Sequence, residues 1–368
     1  MKPEKPLAVT GQHERESARD IKPGSTSATS PNGAEGARLV EMERPPCLLC
    51  GALDAEAILE GSDRLHGLPG RFGVVRCSRC GHYYTSPRPK DLQPYYPTDY
   101  GPHQKSDSDR PRRPPSLVRR LMLAGFLGYP GPRWPAWAFL WPLWASRHWS
   151  ADYTRVIPWT GRGRLFDFGC GAGRFLSRMR RIGWSVAGMD FSENAVGQCR
   201  ERGLDVRQGT LPDANIREGS FDVVTFLDSL EHVTNPREAV AEARRILSPG
   251  GLIVISTPLC DSLAYRWTGA DCFAWELPRH LSHFRHDTLE RLLREEGFEE
   301  IHFRARRRPD IWKISFARRF ESRGGRLNER LSRAKWICAL IDLWSCVLGR
   351  SSTAVVLARK PFAAAIGV

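Results

Sequence analysis

The stretch RLFDFGCGAGRFL at residues 164–176 constrains the fold more than any other part of the sequence. Leu165, Phe166 and Phe168 predict a buried strand, and the helix that follows is expected to begin near Arg174. Between them lie three alternating glycines, Gly169, Gly171 and Gly173. Glycine permits a tight turn and lets the backbone approach a ligand at a helix N-terminus. The stretch therefore predicts the first strand–loop–helix unit of a ligand-binding α/β fold.

The details of this loop argue against two common glycine-rich sites. A dinucleotide fingerprint would need its third glycine at position 174, which is Arg174, and a phosphate-binding P-loop would end in Gly-Lys-Ser/Thr. The next predicted strand, WSVAGMD, ends in Asp190. A carboxylate at the end of the second strand can accept both hydroxyls of a ribose. We therefore expect a nucleoside-containing ligand that contacts Asp190.

Further apolar runs predict the rest of the sheet. They are LDVRQG before Gly209 and Thr210, FDVVTFLDSLEHV at 221–233, GGLIVISTP at 250–258, EEIHFRAR at 299–306 and STAVVLARK at 352–360. More than 40 residues separate the last two runs, which is far longer than a hairpin turn. The last strand pair therefore carries an insert.

The motifs together resemble those of class I S-adenosylmethionine-dependent methyltransferases. The matching stretches are DFGCGAG at 167–173, GMDFS around Asp190, FLDSLEHV at 226–233 and LSPGGLIVISTP at 247–258. The resemblance implies a Rossmann-like α/β sheet and an S-adenosylmethionine site at Asp167, Gly169, Cys170, Gly171, Gly173, Asp190, Phe191, Gly209, Thr210 and Leu227. The chain departs from the family after the third strand, where an acid often meets the adenine amino group and this sequence has Thr210, with Asp213 nearby.

Four of the ten cysteines form two CxxC pairs, in CLLCG at 47–51 and CSRCG at 77–81. Two such knuckles complete the closed tetrahedral site that structural zinc prefers. We expect a zinc ribbon that binds the metal through Cys47, Cys50, Cys77 and Cys80, with strands in AEAILE and GVVRC. A site that has lost its metal and a redox role for one CxxC pair are the alternatives.

The ribbon and the sequence after it narrow the expected activity. CSRCGHYYTSPRP followed by YYPTDY resembles bacterial methyltransferases that act on glycans, sugar nucleotides or lipid-linked intermediates. We expect O-methylation of a glycan, a lipid-linked saccharide or a polyprenyl or quinone-type acceptor. C-methylation of a nucleotide sugar and methylation of RNA are the alternatives, and a non-catalytic adapter with a degenerate cofactor site is a third. LDSL at 227–230 lacks the Asn/Asp-Pro-Pro-aromatic motif of base-amine methyltransferases, and a nucleic acid partner is not expected.

Methylation of a hydroxyl also requires a base. The candidate catalytic residues are Glu231 and His232, after the fourth strand, and His280 and His283, in WELPRHLSHFRH. The resemblance to ubiquinone-type O-methyltransferases implies an alternative role, a divalent metal at Asp228, Glu231 and His232. A second alternative is structural: Asp228 caps a short helix, His232 packs beside the cofactor, and His280 and His283 are hydrogen-bonded histidines.

The charge and the apolar segments predict a surface partner. The net charge is +14, and residues 301–360 hold 15 Lys or Arg against 4 Asp or Glu. The insert ends in KWICALIDLWSCVL, whose apolar residues recur at helical spacing, and WPAWAFLWPLW at 134–144 is similarly apolar. Basic flanks beside Trp-rich apolar segments are typical of peripheral membrane contact. A helical cap over the acceptor pocket and a basic surface for RNA are the alternatives.

The predicted domain order is a disordered tail at 1–44, the zinc ribbon at 45–105 and an apolar Trp-rich cap at 106–155. The methyltransferase core at 156–308, a basic amphipathic insert at 309–350 and the last strand and tail at 351–368 follow. The first twenty residues hold no apolar run, so we expect a cytoplasmic protein, with the inner face of the membrane as its site of contact. The sequence predicts no oligomeric state.

Overall fold

The computed structural model describes residues 40–97, 100–101, 115–131, 153, 156–210 and 215–362. The strands are β1 (Met42–Glu43), β2 (Ala55–Gly61), β3 (Phe72–Cys77), β4 (Tyr83–Thr85), β5 (Arg88–Pro89), β6 (Arg164–Phe168), β7 (Ser185–Asp190), β8 (Asp205–Gln208), β9 (Phe221–Leu227), β10 (Leu247–Pro258), β11 (Ser282–His283), β12 (Glu299–Arg306) and β13 (Thr353–Arg359). The helices are α1 (Leu117–Leu127), α2 (Arg174–Arg181), α3 (Glu193–Glu201), α4 (Pro236–Ile246), α5 (Leu263–Thr268), α6 (His286–Glu295), α7 (Pro309–Arg323), α8 (Arg326–Arg333) and α9 (Lys335–Val347).

Seven strands form the central sheet in the order β12-β13-β10-β9-β6-β7-β8. Strands β6 to β10 pair in parallel, whereas β13 runs antiparallel to both β10 and β12. The strand order reverses at β6, which pairs with β7 on one side and β9 on the other, and a crevice at such a point is where open α/β sheets bind ligands. The sheet confirms the predicted Rossmann-like class I methyltransferase fold.

The middle strands are apolar because both of their faces are covered. In β9, the five residues between Phe221 and Leu227 are all buried, as expected for a parallel strand packed on both sides. Phe226 stacks on Phe168 of β6 with ring centroids 4.9 Å apart. Full burial of a Phe side chain contributes roughly 1.5–3 kcal/mol, so this aromatic contact helps to fix the two strands that flank the crevice.

The fourth core strand is shorter than the sequence indicated. The predicted strand at 221–233 ends at Leu227, because Asp228 adopts a left-handed conformation with φ 55°. A 3₁₀ turn at Leu230–His232 follows. Asp228, Glu231 and His232 therefore do not share one α-helical face, and His232 lies at the carboxyl edge of the sheet.

The ribbon shares its sheet with the methyltransferase core. Strands β2, β3 and β4 are antiparallel, and β11, from the segment after β10, adds the fourth strand by pairing with β4. The predicted strand segments AEAILE and GVVRC fall in β2 and β3. Residues 40–44, placed by sequence in the tail, include β1, which pairs with β5. The rest of that tail, the Trp-rich stretch at 134–144 and Asp213 lie outside the described residues.

A buried ion pair ties the ribbon to the core. The Arg279 guanidinium donates to both carboxylate oxygens of Asp63 at 2.7 and 3.0 Å, and both side chains are fully buried. Arg279 also donates to the Tyr95 carbonyl at 3.2 Å. Burial by itself would raise the pKa of Asp63, but hydrogen bonds from Arg279 and backbone amides lower it below its ordinary value.

Substituting Asp63→Asn should destabilise the protein by about 3–5 kcal/mol, because it leaves the buried Arg279 charge with only Glu276, 3.3 Å from its Nε, as a counter-ion. The measurement is the free energy of unfolding from urea titration. The matched control is Glu60→Gln, which breaks the exposed pair with Arg71 and should change stability by less than about 0.5 kcal/mol. Equal effects of the two variants would contradict this reading of the buried pair.

Candidate active site

A cavity of about 400 Å³ opens at the carboxyl ends of β6, β7 and β9. Six of the residues predicted to bind the cofactor line it: Gly169, Gly171, Asp190, Phe191, Gly209 and Thr210. The size is within the range of small-molecule sites. The cavity therefore lies where the strand order predicts a ligand, and it brings together the ends of three strands.

Asp190 holds the glycine-rich loop in place. Its carboxylate accepts the Gly171 N–H at 2.8 Å and the Ser192 N–H at 2.9 Å. Gly169 has φ 68°, and a Cβ there would come within 2.7 Å of the Ser229 Cβ. The loop therefore needs glycine for both its conformation and its contact with the segment after β9.

The other four predicted cofactor residues do not line the cavity. Asp167 is buried beneath the loop and accepts the Thr225 hydroxyl at 2.5 Å. Burial, together with the nearby charge of Asp190, raises the pKa of Asp167 to about 7. Cys170 is buried, and Leu227 is the last residue of β9. Gly173 caps α2 at φ 74°, where a Cβ would lie 2.5 Å from Leu204, so its role is in packing.

One wall of the cavity comes from a segment in which the sequence predicts no site residue. Its residues follow the ribbon and are Lys90, Asp91, Leu92, Gln93, Tyr96 and Tyr100. The Tyr96 ring meets Phe191 edge-on at 5.0 Å and Tyr100 at 5.2 Å. The aromatic motif YYPTDY was the available signal, but only the docking of the ribbon on the core places it over the site.

His232 lines the same cavity and has a defined orientation. Its Nδ1 lies 3.0 Å from the Arg279 carbonyl oxygen and 3.0 Å from the Tyr96 hydroxyl. Because a carbonyl oxygen only accepts, Nδ1 carries the proton, and the lone pair of the neutral ring is on Nε2. Within the described part of the chain, no hydrogen bond engages Nε2. Burial and the neighbouring His280 lower the pKa of His232 to about 3, which keeps the ring neutral.

The other three predicted catalytic residues, Glu231, His280 and His283, do not line the cavity. His280 contacts the Ala274 carbonyl through Nδ1 at 2.9 Å, and His283 contacts the Thr85 hydroxyl through Nε2 at 3.1 Å. Both rings are buried, and burial lowers the pKa of each. Glu231 is 1% exposed, and burial raises its pKa well above the ordinary range. None of the three borders the cavity.

The predicted metal set of Asp228, Glu231 and His232 is not assembled. Asp228 forms an ion pair with Arg306 at 2.8 Å and accepts the Tyr153 hydroxyl at 2.8 Å. His280, rather than Asp228, lies near Glu231 and His232. One possible ligand atom from each of these three residues lies within 4.8 Å of the other two. The Glu231 Oε2 is buried and has no hydrogen-bond partner among the residues that the structure describes.

The four ribbon cysteines lie together and fit a tetrahedral metal. Cys47 and Cys80 are 3.5 Å apart at Sγ, as are Cys50 and Cys77, and all four sulfurs lie within 4.8 Å of one another. Four thiolates at about 2.3 Å from zinc lie about 3.8 Å apart. No disulfide joins them. The spacing therefore suits one zinc ion with no open coordination position.

Comparisons with known proteins agree with the fold of the central sheet. A family model described as a methyltransferase domain matches residues 141–302. Ubiquinone biosynthesis O-methyltransferase from Xanthomonas oryzae pv. oryzae is 34% identical over 155 residues, covering 39% of this chain and 64% of that protein. The enzyme of that name from Methylococcus capsulatus is 34% identical over 149 residues, covering 37% and 63%. The match thus spans less than two-thirds of each relative.

A solved structure is also similar. The S-adenosylmethionine-dependent methyltransferase from Mesorhizobium loti is 20% identical, with a TM-score of 0.39, and the match covers 60% of this chain and 97% of that one. When the seven strands of the central sheet are renumbered 1 to 7 along the chain from β6, their order in the sheet is 6-7-5-4-1-2-3. This order, the family match and the glycine-rich loop before α2 agree with one another. The core of the chain has the Rossmann-like fold of class I methyltransferases, and residues 141–302 are similar to a methyltransferase domain.

Proposed function

We propose that the protein transfers a methyl group from S-adenosylmethionine to a hydroxyl group of a small quinone-type acceptor. The observation that carries this proposal is His232, a neutral imidazole on the cavity wall whose Nδ1 proton is held by the Arg279 carbonyl. The Nε2 lone pair of this neutral ring can accept the proton of a hydroxyl, although the lowered pKa of His232 makes it a weaker base than a free imidazole.

The cofactor would be held by the backbone of the glycine-rich loop and by Asp190. The amides of the loop are already ordered by the Asp190 carboxylate, and the N-terminus of α2 begins directly after Gly173. The carboxylate can also accept ribose hydroxyls. Bound S-adenosylmethionine supplies an electrophilic methyl group on a positively charged sulfur. The chain's own task is therefore alignment of the acceptor and removal of a proton.

His232 would act as the base and Tyr96 as the residue that orients it. The Tyr96 hydroxyl and the Arg279 carbonyl both hold Nδ1, so the imidazole cannot rotate without losing two contacts. The Tyr96 ring also borders the cavity together with Phe191. Aromatic walls of this kind suit a planar ring, and the relatives are named for ubiquinone biosynthesis. A sugar hydroxyl would use the same base, so the choice of acceptor depends on the relatives.

The Cys47, Cys50, Cys77 and Cys80 cluster would hold a structural zinc ion. All four sulfurs would be ligands, which leaves no position for substrate. The ribbon carries the segment with Tyr96 over the cavity, so zinc would act on the site by fixing that segment.

Replacing Asp190 by Asn should weaken S-adenosylmethionine binding by about ten- to hundredfold, since a hydrogen bond to a charged group contributes roughly 1.5–3 kcal/mol. Isothermal titration calorimetry measures the dissociation constant. Asp205→Asn, at an exposed position at the start of β8, is the matched control and should bind as the wild type does. An unchanged affinity in D190N would remove Asp190 from the proposed site.

Replacing His232 by Gln should lower kcat by about 10²–10⁴-fold while cofactor binding is retained, because only the base is lost. Because the pKa of His232 is lowered to about 3, its imidazole stays neutral until the pH falls to about that value. The wild-type rate should therefore show no loss from His232 protonation between about pH 5 and 8. His286→Gln, a partly exposed histidine paired with Asp261, is the control. A titration near pH 6.5 that vanishes in H232Q would contradict the assigned environment.

Replacing Cys50 by Ser should release zinc, because three thiolates bind it more weakly than four. Mass spectrometry of the purified wild type should find one zinc ion per chain, and C50S should show less metal and a lower melting temperature. Cys260→Ser, a cysteine outside the cluster, should retain both. A wild-type protein that holds no zinc after purification with added zinc would refute the assignment.

A further inference from the structure

Helix α9 has its apolar and polar faces reversed relative to an ordinary surface helix. Four of its large apolar residues and the one that follows its last residue recur at i, i+4, i+8, i+11 and i+12 and are more than half exposed: Trp336, Leu340, Trp344, Val347 and Leu348. The other three, Ile337, Ile341 and Leu343, are half-buried. The two indole side chains are 68% and 65% exposed. Surface helices normally turn such residues toward the core, so this face needs a partner.

The inward face of α9 is small and polar. Its buried residues are Cys338, Asp342, Ser345 and Cys346. The Asp342 carboxylate accepts the Arg308 N–H at 3.1 Å and lies 3.4 Å from the Arg307 Nε. These contacts fix the rotation of the helix about its own axis, because turning the apolar face inward would leave the Asp342 carboxylate without them.

The neighbouring helix α8 supplies positive charge. Arg326, Arg330 and Arg333 are exposed along it, and the exposed Lys335 begins α9. Leu327 on α8 is 68% exposed and adds to the apolar surface. Residues 301–360 as a whole hold 15 Lys or Arg against 4 Asp or Glu. An apolar face beside basic residues is the pattern of helices that lie in a membrane interface.

We propose that α8 and α9 dock the protein on a bilayer that carries anionic head groups. Helix α9 has 13 residues, about 20 Å in length, and would lie parallel to the surface with both indoles at the head-group level. No helix in the described part of the chain is long and apolar enough to cross a membrane.

A second copy of the chain is the competing occupant of this face. In a symmetric dimer the same patch meets itself, and the arginines of α8 would then approach one another. Like charges brought together in this way oppose association. An anionic bilayer instead neutralises them, so charge complementarity favours lipid.

The test is sedimentation with vesicles of phosphatidylcholine alone and of equal parts phosphatidylcholine and phosphatidylglycerol. The full-length protein should bind the anionic vesicles, and binding should weaken as salt screens the arginines. Arg330→Gln with Arg333→Gln should reduce binding and its dependence on salt. The triple variant Trp336→Ser, Leu340→Ser and Trp344→Ser should weaken binding by about tenfold or more.

Leu53→Ser with Leu65→Ser, two exposed leucines on the ribbon, is the matched control and should bind as the wild type does. Circular dichroism checks that each variant is folded. Wild-type binding by the triple variant, or no binding by the wild type, would overturn the proposal. The proposal would also be overturned if the wild type did not bind vesicles but light scattering showed that it is a dimer and that the triple variant is a monomer. The test uses no catalytic readout, so its outcome is independent of the proposed function.

Discussion

The arrangement of the candidate site depends on Arg279. Its guanidinium is fully buried, binds Asp63 of the ribbon and donates to the Tyr95 carbonyl, while its own carbonyl accepts the His232 Nδ1–H. One residue thus connects the ribbon, the aromatic wall and the candidate base. A buried guanidinium is stable only when its donors are satisfied, so the docking of the ribbon and the orientation of His232 follow from the same set of hydrogen bonds.

This connection gives the ribbon a role in the site although its cysteines lie apart from the cavity. The four sulfurs fix the two knuckles, and β11 joins the ribbon sheet through β4. The chain then runs through β5 to Tyr96, whose hydroxyl contacts His232. A metal ion that closes the knuckles would therefore act on catalysis through geometry, by limiting how far the wall with Tyr96 can move from the cavity.

The sequence allowed prediction of those parts of the site that depend on local spacing. Alternating glycines before Arg174 and a carboxylate at Asp190 require a particular loop whatever surrounds it, and the two CxxC pairs require one another. The contact between Tyr96 and His232 joins residues 136 positions apart, and no local pattern predicts it. His280 and His283 were selected from a loop that does reach the site, but Ala274 and Thr85 hold the two rings behind the cavity wall.

Asp228 shows how the insert and the site are related. The resemblance implied a metal ligand at this position, but Arg306, the last residue of β12, pairs with its carboxylate and also stacks on the Tyr153 ring at 4.4 Å. The two residues that follow Arg306 contact Asp342 of α9. The arginine run 306–308 therefore has one end at the cavity and the other at the base of the reversed helix. Rotation of α9 would break the contacts of Asp342 with the two residues next to Arg306, so the orientation of the helix is tied to the cavity edge.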